Sequence, residues 1–120
     1  MRTIEKNIID FIKENWNTRE RKNKTFSCRD YAEVTENAVR VCLWGHLIFS
    51  IDKKTKKAFF CFQGYSTVTT KSRINAFLSA FSEGGIFQKN FSLFYTCKNY
   101  TAEVDSTKFY RVENGEIKEN

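Results

Sequence analysis

The first part of the chain carries apolar residues at helical spacing, with charged residues on the opposite side. This apolar stripe consists of Ile4, Ile8, Phe11, Ile12 and Trp16. Thr3 can cap the start of the segment, and Glu5 falls in its first turn. The pattern predicts an amphipathic helix over residues 3–16 that packs against a core. The alternative is that its apolar stripe contacts a partner or a second copy of the chain.

The pattern changes to strands in the middle of the chain. Apolar residues alternate with other residues over residues 38–44, which predicts a strand, and Gly45 interrupts the pattern as a turn or a bulge would. Residues 46–51 and 58–63 read as two further strands, joined by a polar turn over residues 52–57. Together these two strands predict a β-hairpin with a lysine-rich tip.

Three phenylalanines occupy both faces of the strand that follows the lysine-rich tip. Phe59, Phe60 and Phe62 fit a strand that is covered on both sides, with a helix on at least one of them. A basic hairpin beside aromatic residues is also typical of a stacking platform for single-stranded nucleic acid. We favour core packing, and the stacking interpretation stays open.

A second helical pattern follows over residues 71–82. Its buried stripe is formed by Ile74, Phe77, Leu78 and Phe81, and the glycine pair at 84–85 supplies a C-terminal stop. Later strands are predicted to begin at Phe87 and to span residues 91–97.

A last hairpin is predicted over residues 108–118, around the turn dipeptide Asn114-Gly115. The order of elements is therefore one helix, three strands, a second helix and more strands. This order predicts an α+β fold with a mostly antiparallel sheet, an N-terminal helix and one central helix.

Composition indicates one domain over residues 1–120. The chain has no proline and no Gly/Ser-rich linker, and 16% of its residues are aromatic. Within this domain, residues 1–24 form the predicted N-terminal helix and basic arm, and residues 38–118 form the α+β core. The net charge of +6 favours acidic partners such as nucleic acid, an anionic protein face or a phosphorylated ligand. The alternative is that a lysine-rich surface keeps an aromatic-rich protein soluble.

The junction between the aromatic strand and the second helix concentrates hydroxyl groups and cations. Lys71 and Arg73 fall at the positive end of the helix dipole, where a cation is unfavourable unless an anion answers it. Together with Thr69, Thr70 and free backbone N–H groups, they suit a phosphate. The other interpretation is an ordinary helix capped by Thr69 or Thr70, with both cations in water.

Two further basic segments are candidates for contacts with a phosphate backbone, although such runs are more often simply solvated. The lysine-rich tip supplies Lys53, Lys54, Lys56 and Lys57. The basic arm supplies Arg19, Arg21, Lys22 and Lys24. If the partner is a protein instead, aromatic anchors are expected. The candidates for that role, provided that they are exposed, are Trp16, Tyr65 and Tyr100.

Catalysis is not predicted. His46 is the single histidine and falls within a predicted strand, and no P-loop or dinucleotide fingerprint is present. We therefore expect a non-catalytic protein without a cofactor.

The cysteines do not predict a metal site either. No pair has the spacing Cys-x-x-Cys, and in a reducing compartment they are expected to be small buried apolar residues: Cys28, Cys42, Cys61 and Cys97. The chain shows no signal-peptide pattern and no long apolar run, so we expect a cytoplasmic protein without membrane contact.

Residues 64–75 read Gly-Tyr-Ser-Thr-Val-Thr-Thr-Lys-Ser-Arg-Ile-Asn. This run resembles the signature Gly-aromatic-x-Thr-x-Thr-Thr-Lys-x-Arg-Leu/Ile-Asn of a family of small phage and plasmid accessory proteins. Residues 44–48, 86–90 and 109–117 also resemble that family, so the resemblance covers about residues 40–118. The N-terminal helix and basic arm lie outside it and look like an addition.

The resemblance implies a phage or mobile-element source, and hence the host cell cytoplasm as the location. Small phage proteins of this kind are often anti-defence factors, including anti-CRISPR proteins. Our leading hypothesis is a protein that binds nucleic acid or a nucleoprotein complex. One alternative is a protein-directed inhibitor of a host defence effector. Another is a binder of a small phosphorylated signal at the helix start, which requires a concave pocket there. The sequence predicts no particular oligomeric state.

Overall fold

A computed structural model describes residues 1–120 as two helices and ten strands. The helices are α1 (Thr3–Glu14) and α2 (Val68–Phe81). The first five strands are β1 (Lys22–Thr25), β2 (Asp30–Val34), β3 (Ala38–Leu43), β4 (His46–Asp52) and β5 (Lys57–Phe60). The remaining strands are β6 (Gly85–Lys89), β7 (Ser92–Cys97), β8 (Tyr100–Val104), β9 (Tyr110–Glu113) and β10 (Glu116–Glu119).

All strand pairs are antiparallel. One sheet has seven strands in the order β1-β2-β3-β4-β5-β9-β10, and the second has three strands in the order β6-β7-β8. This arrangement confirms the predicted α+β class with an N-terminal and a central helix.

One face of the seven-stranded sheet forms the core. Val34, Val39, Ile51, Ala58 and Val112 are partners in successive strand pairs and make one buried apolar row across the sheet. Both helices contact this sheet, α1 at β2 and α2 at β4 and β5. Alternation along the strands therefore sets the buried face, as expected for an antiparallel sheet.

The apolar stripes of both helices pack against the core as predicted, but α1 ends at Glu14, so Trp16 lies beyond the helix. In α1, Ile8 and Ile12 are fully buried, and in α2 the same is true of Ile74, Phe77 and Leu78. The second helix begins at Val68, three residues before its predicted start. Its cap is Thr67 rather than Thr69 or Thr70, because the Thr67 hydroxyl accepts the backbone N–H of Thr70.

Two-residue turns close several hairpins. Asn114 and Gly115 have φ angles of 53° and 75° between β9 and β10, which confirms the predicted turn. Trp44 and Gly45 take the same left-handed conformation between β3 and β4, with φ angles of 53° and 77°. The predicted β4–β5 hairpin with its lysine-rich tip is also present.

Some expectations need correction. Part of the basic arm forms the edge strand β1 and pairs with β2, and neither β2 nor β8 was expected. The strand carrying Phe59 was expected to be covered on both sides, but it is fully buried on one side only. Phe60 and Phe62 are buried in the core. Phe59 is half-buried on the opposite face, beside Ser50 and Arg111.

The four cysteines are free thiols with different environments. Cys61 is buried, Cys42 and Cys97 are half-buried, and Cys28 is exposed, so the expectation of a buried thiol is wrong for Cys28. Neither helix is long and apolar enough to cross a membrane.

Candidate binding pocket at the start of α2

The chain reaches α2 through a tight turn after β5. Gln63 and Gly64 have φ angles of 55° and 80°, and the Gly64 N–H donates a hydrogen bond of 2.7 Å to the Ser106 carbonyl. The Gln63 amide donates to the Leu47 carbonyl at 2.7 Å. These contacts hold the segment before α2 against the start of β4 and against the loop between β8 and β9.

A pocket of about 320 Å³ lies between the start of α2 and the β3–β4 turn. We call it the α2 pocket. Its floor is apolar and consists of Leu43, Ile48 and Phe62. Its remaining lining residues are Arg29, Trp44, His46, Gln63, Tyr65, Thr67, Thr69 and Thr70. No carboxylate lines it, and its volume lies in the range of small-ligand sites.

Aromatic rings at the pocket are open to solvent. Trp44 is 63% exposed, and Tyr65 is 54% exposed. The rings of Tyr65 and His46 are 5.6 Å apart between centroids. A bulky residue in the left-handed conformation of Trp44 is strained by about 1–2 kcal/mol, and Asn or Gly is usual at that turn position. An exposed, strained tryptophan at a pocket is typical of a ligand contact.

Cations surround the polar side of the pocket. Arg29 lines the pocket, and the Arg29 Nε lies 3.6 Å from Asp30 Oδ2. The Arg2 guanidinium donates to the Thr69 hydroxyl at 3.4 Å. Lys71 closes the first turn of α2, which contains no acidic residue, and Lys71 forms no ion pair. This end of the helix is therefore electropositive.

The hydroxyl groups of the α2 start have different roles. Thr67 Oγ1 accepts the Thr70 N–H at 3.1 Å, and the two hydroxyl oxygens lie 2.9 Å apart. Thr70 itself is 2% exposed, so it supports the turn more than it offers a ligand contact. The backbone N–H groups of Val68 and Thr69 have no acceptor within the protein, as is usual in the first turn of a helix.

Arg73 is buried and is not accessible to a phosphate, so that prediction is corrected. Its side chain is 1% exposed and turns inward. Its Nη1 donates to Glu5 Oε2 at 2.7 Å, and its Nε donates to Asp30 Oδ1 at 2.8 Å. Both carboxylates are buried as well. We call Arg73, Glu5 and Asp30 the buried ion triad, and it joins α1, α2 and β2.

Hydroxyl and backbone donors complete the buried ion triad. Ser72 donates to Glu5 Oε2 at 2.7 Å, the Arg2 N–H donates to Glu5 Oε1 at 3.0 Å, and Ser27 donates to Asp30 Oδ2 at 2.8 Å. Burial by itself raises the pKa of Glu5, but the hydrogen bonds from Ser72, Arg2 and Arg73 outweigh it, so this pKa lies below its ordinary value.

The lysine-rich tip lies at the opposite end of α2. The helix has 14 residues, so its two ends are about 20 Å apart. Lys53 and Lys54 line a second cavity of about 290 Å³ together with Trp16 and Arg19. Lys53 is already engaged there, because its ammonium donates to the Thr35 carbonyl at 2.8 Å.

The other predicted cations are dispersed. Lys57 pairs with Glu113 at 3.3 Å, and Lys56 lines a surface cavity together with both of these residues. The remaining arm residues are also engaged: Arg21 pairs with Glu33, Lys22 with Glu20, and the Lys24 ammonium lies 5.3 Å from the centre of the Phe26 ring. The structure therefore does not bring the three basic segments together on one face.

Only one of the three candidate protein-contact aromatics is exposed. Trp16 stacks on Phe81, with ring centroids 6.3 Å apart. Tyr100 is half-buried, and its hydroxyl donates to the Ile117 carbonyl at 3.2 Å. Tyr65 is exposed at the α2 pocket.

The sequence reasoning missed Arg29 and Trp44. Trp44 precedes a glycine between two predicted strands, which is the position of a hairpin turn, and a tryptophan there was a usable signal. Arg29 carried no comparable signal, because the loop before β2 positions it.

The model of a family described as Kyanoviridae Gp96 protein matches residues 1–116 of the chain. This match includes the N-terminal helix and the basic arm, which are therefore not an addition to that family. No curated protein and no solved structure matches the chain.

Proposed function

We propose that this phage protein, which belongs to the Kyanoviridae Gp96 protein family, is a non-catalytic accessory protein that binds nucleic acid by taking one nucleotide into the α2 pocket. A single observation carries the proposal. Solvent-open aromatic rings, an apolar floor and an electropositive helix start surround one cavity that no carboxylate lines.

The aromatic side of the pocket suits a nucleobase. Trp44 and Tyr65 are exposed and line the same cavity as the apolar floor, and stacking on an aromatic side chain contributes about 1–3 kcal/mol per base. Every base has such a face, so this contact alone does not select a sequence.

The polar side suits the phosphate of the same nucleotide. The free N–H groups of Val68 and Thr69 and the dipole of α2 favour an anion. Arg29 and Lys71 add positive charge at the same end of the helix. Two of the predicted phosphate-binding residues, Thr69 and Lys71, keep this role in the proposal.

The pocket offers binding groups but no catalytic pair. His46 packs beside Tyr65, and no carboxylate in the lining can orient it as a general base. The proposal is therefore recognition without a chemical step.

A small phosphorylated signal is the second candidate ligand. The concave shape of the pocket favours it, because a volume of about 320 Å³ suits one small molecule. A free nucleotide and a nucleotide within a strand share the same chemistry. Titrations with mononucleotides, cyclic dinucleotides, single strands and duplexes distinguish these sources.

The test is a fluorescence titration with labelled ligands at about 50 mM and about 200 mM salt. The key variant is Trp44→Asn, because asparagine suits the left-handed turn and removes only the ring. Lys98→Asn is the matched control, since Lys98 has the same φ of 53° in the β7–β8 turn. We expect wild-type protein and K98N to bind, and W44N to lose about tenfold or more in affinity.

Two results contradict the proposal. One is the absence of binding to every ligand at the lower salt concentration. The other is equal affinity of W44N and wild-type protein, since the ring of Trp44 then makes no contact with the ligand.

A further inference from the structure

The β6–β7 hairpin ends in an aromatic residue that the fold does not use. Asn90 and Phe91 form its two-residue turn, with φ angles of 50° and 66°, and Phe91 is 98% exposed. The left-handed conformation is unfavourable for a bulky side chain. Because Phe91 recovers none of this cost by packing, its position is better explained by an external contact.

The hairpin points toward the same end of the molecule as the α2 pocket. After α2 ends, the chain reverses, and by Ile86 it has returned to the level of Asn75, whose side chain bonds both backbone groups of Ile86 at 3.0 and 2.6 Å. The second strand of the hairpin leads to the same end of the molecule, because Leu93 near the tip pairs with Val104, and the Ser106 carbonyl two residues later accepts the Gly64 N–H just before α2. The tip therefore lies on the side of the molecule where α2 begins.

The hairpin is stiff and carries positive charge. Phe87 and Phe94 stack across its two strands, with ring centroids 5.3 Å apart. Residues 85–92 contain one charged residue, Lys89, and no carboxylate. An apolar tip beside a cation, on a chain with a net charge of +6, is complementary to nucleic acid.

We propose that Phe91 is a second stacking contact on the nucleic acid strand, and that it packs against or between bases outside the nucleotide held in the α2 pocket. This inference rests on the proposed function. It assigns the ligand as a strand of several nucleotides, because Phe91 does not line the α2 pocket and a ligand that contacts both must extend beyond it.

The test compares a strand with a single nucleotide. The probes are an oligothymidylate of about 12 nucleotides, which is within the usual site size, and deoxythymidine 5′-monophosphate as its competitor. The variants are Phe91→Ala, Phe91→Leu and Phe91→Trp, with Lys98→Ala as the control in the neighbouring turn. Since Phe91 is 98% exposed, thermal unfolding of these variants should match the wild type.

We expect F91A to lower the affinity for the oligonucleotide about tenfold and to leave competition by the mononucleotide unchanged. F91L should be almost as weak as F91A, because leucine lacks a ring that can stack. F91W should bind as tightly as wild-type protein, and its added tryptophan fluorescence should be quenched by the strand.

Equal oligonucleotide affinity of F91A and wild-type protein would overturn the inference, and a protein partner would then be the better explanation of the exposed Phe91. If W44N still weakens binding in that case, the α2 pocket keeps its proposed function. An equal loss for strand and mononucleotide in F91A would also overturn the inference, since Phe91 would then act on the pocket itself.

Discussion

Replacing Arg73 tests the buried ion triad most severely. In Arg73→Met, two buried carboxylates lose three hydrogen bonds, namely those to Glu5 Oε2 at 2.7 Å and to Asp30 Oδ1 and Oδ2 at 2.8 and 3.3 Å. Removing one partner of a buried ion pair costs about 3–5 kcal/mol, because the remaining charge stays uncompensated.

The remaining contacts place the expected loss at the lower end of this range. Ser72 and the Arg2 N–H still donate to Glu5, and Ser27 still donates to Asp30. Arg29 also lies 3.6 Å from Asp30. We therefore expect a loss of about 3 kcal/mol, which corresponds to about 12 °C in Tm for a chain of this size.

Urea unfolding followed by far-UV circular dichroism measures this loss, and the midpoint should fall by about 2 M. Arg73→Lys keeps the charge but not the planar fork, so it should lie between wild type and Arg73→Met. Adding Glu5→Gln and Asp30→Asn to Arg73→Met should restore part of the stability, because no buried charge is then unpaired. A loss below about 1 kcal/mol in Arg73→Met would refute this reasoning.

Two further predictions use the same stability measurement. Because the pKa of Glu5 is lowered in the folded state, its contribution is present above its unfolded-state pKa and is lost as the pH falls through the folded-state pKa. Glu5→Gln should thus be less stable than wild type near neutral pH and lose less stability on acidification, and parallel pH profiles would contradict this. Gly84 and Gly64 have the same φ of 80°, but a Cβ at Gly84 would collide with the Tyr95 hydroxyl, whereas one at Gly64 meets nothing within 4 Å. Gly84→Ala should therefore cost about 1–3 kcal/mol more than Gly64→Ala, and equal losses would show that Tyr95 moves aside freely.

The elements that depend on local patterns were predictable. Both helices follow from apolar residues at helical spacing, and the Asn114-Gly115 hairpin follows from its turn residues. Strand β2 carried a usable signal too, because Ala32 and Val34 alternate with Tyr31 and Glu33. The edge strand β1 carried none, since all four of its residues are exposed.

The fate of Arg73 depended on contacts that are distant in sequence. Its carboxylate partners are 68 and 43 positions away, so the chain alone gave no sign that both would meet it in the core. Arg73 lies four residues before the buried Phe77, on the same side of the helix, and this spacing was the one local hint.

The α2 pocket could be predicted only in part. The run of threonines and Lys71 pointed to the start of α2, and the pocket lies there. Its aromatic wall depends on the left-handed turn at Trp44, and its cation depends on the loop that carries Arg29. Gly45 gave a local signal for the turn at Trp44, whereas the position of Arg29 follows from the assembled sheet rather than from local sequence.

The most direct test of nucleotide recognition at the α2 pocket is an NMR titration that follows the two tryptophan indole N–H signals. The chain contains only Trp16 and Trp44, which lie at opposite ends of α2, since Trp16 stacks on Phe81 and Trp44 lines the pocket at the helix start. On addition of a single-stranded oligonucleotide, we predict that the Trp44 signal shifts with increasing ligand while the Trp16 signal stays in place. A shift of Trp16 alone, beside Lys53 and Lys54, or no shift of either signal would contradict nucleotide binding at the α2 pocket.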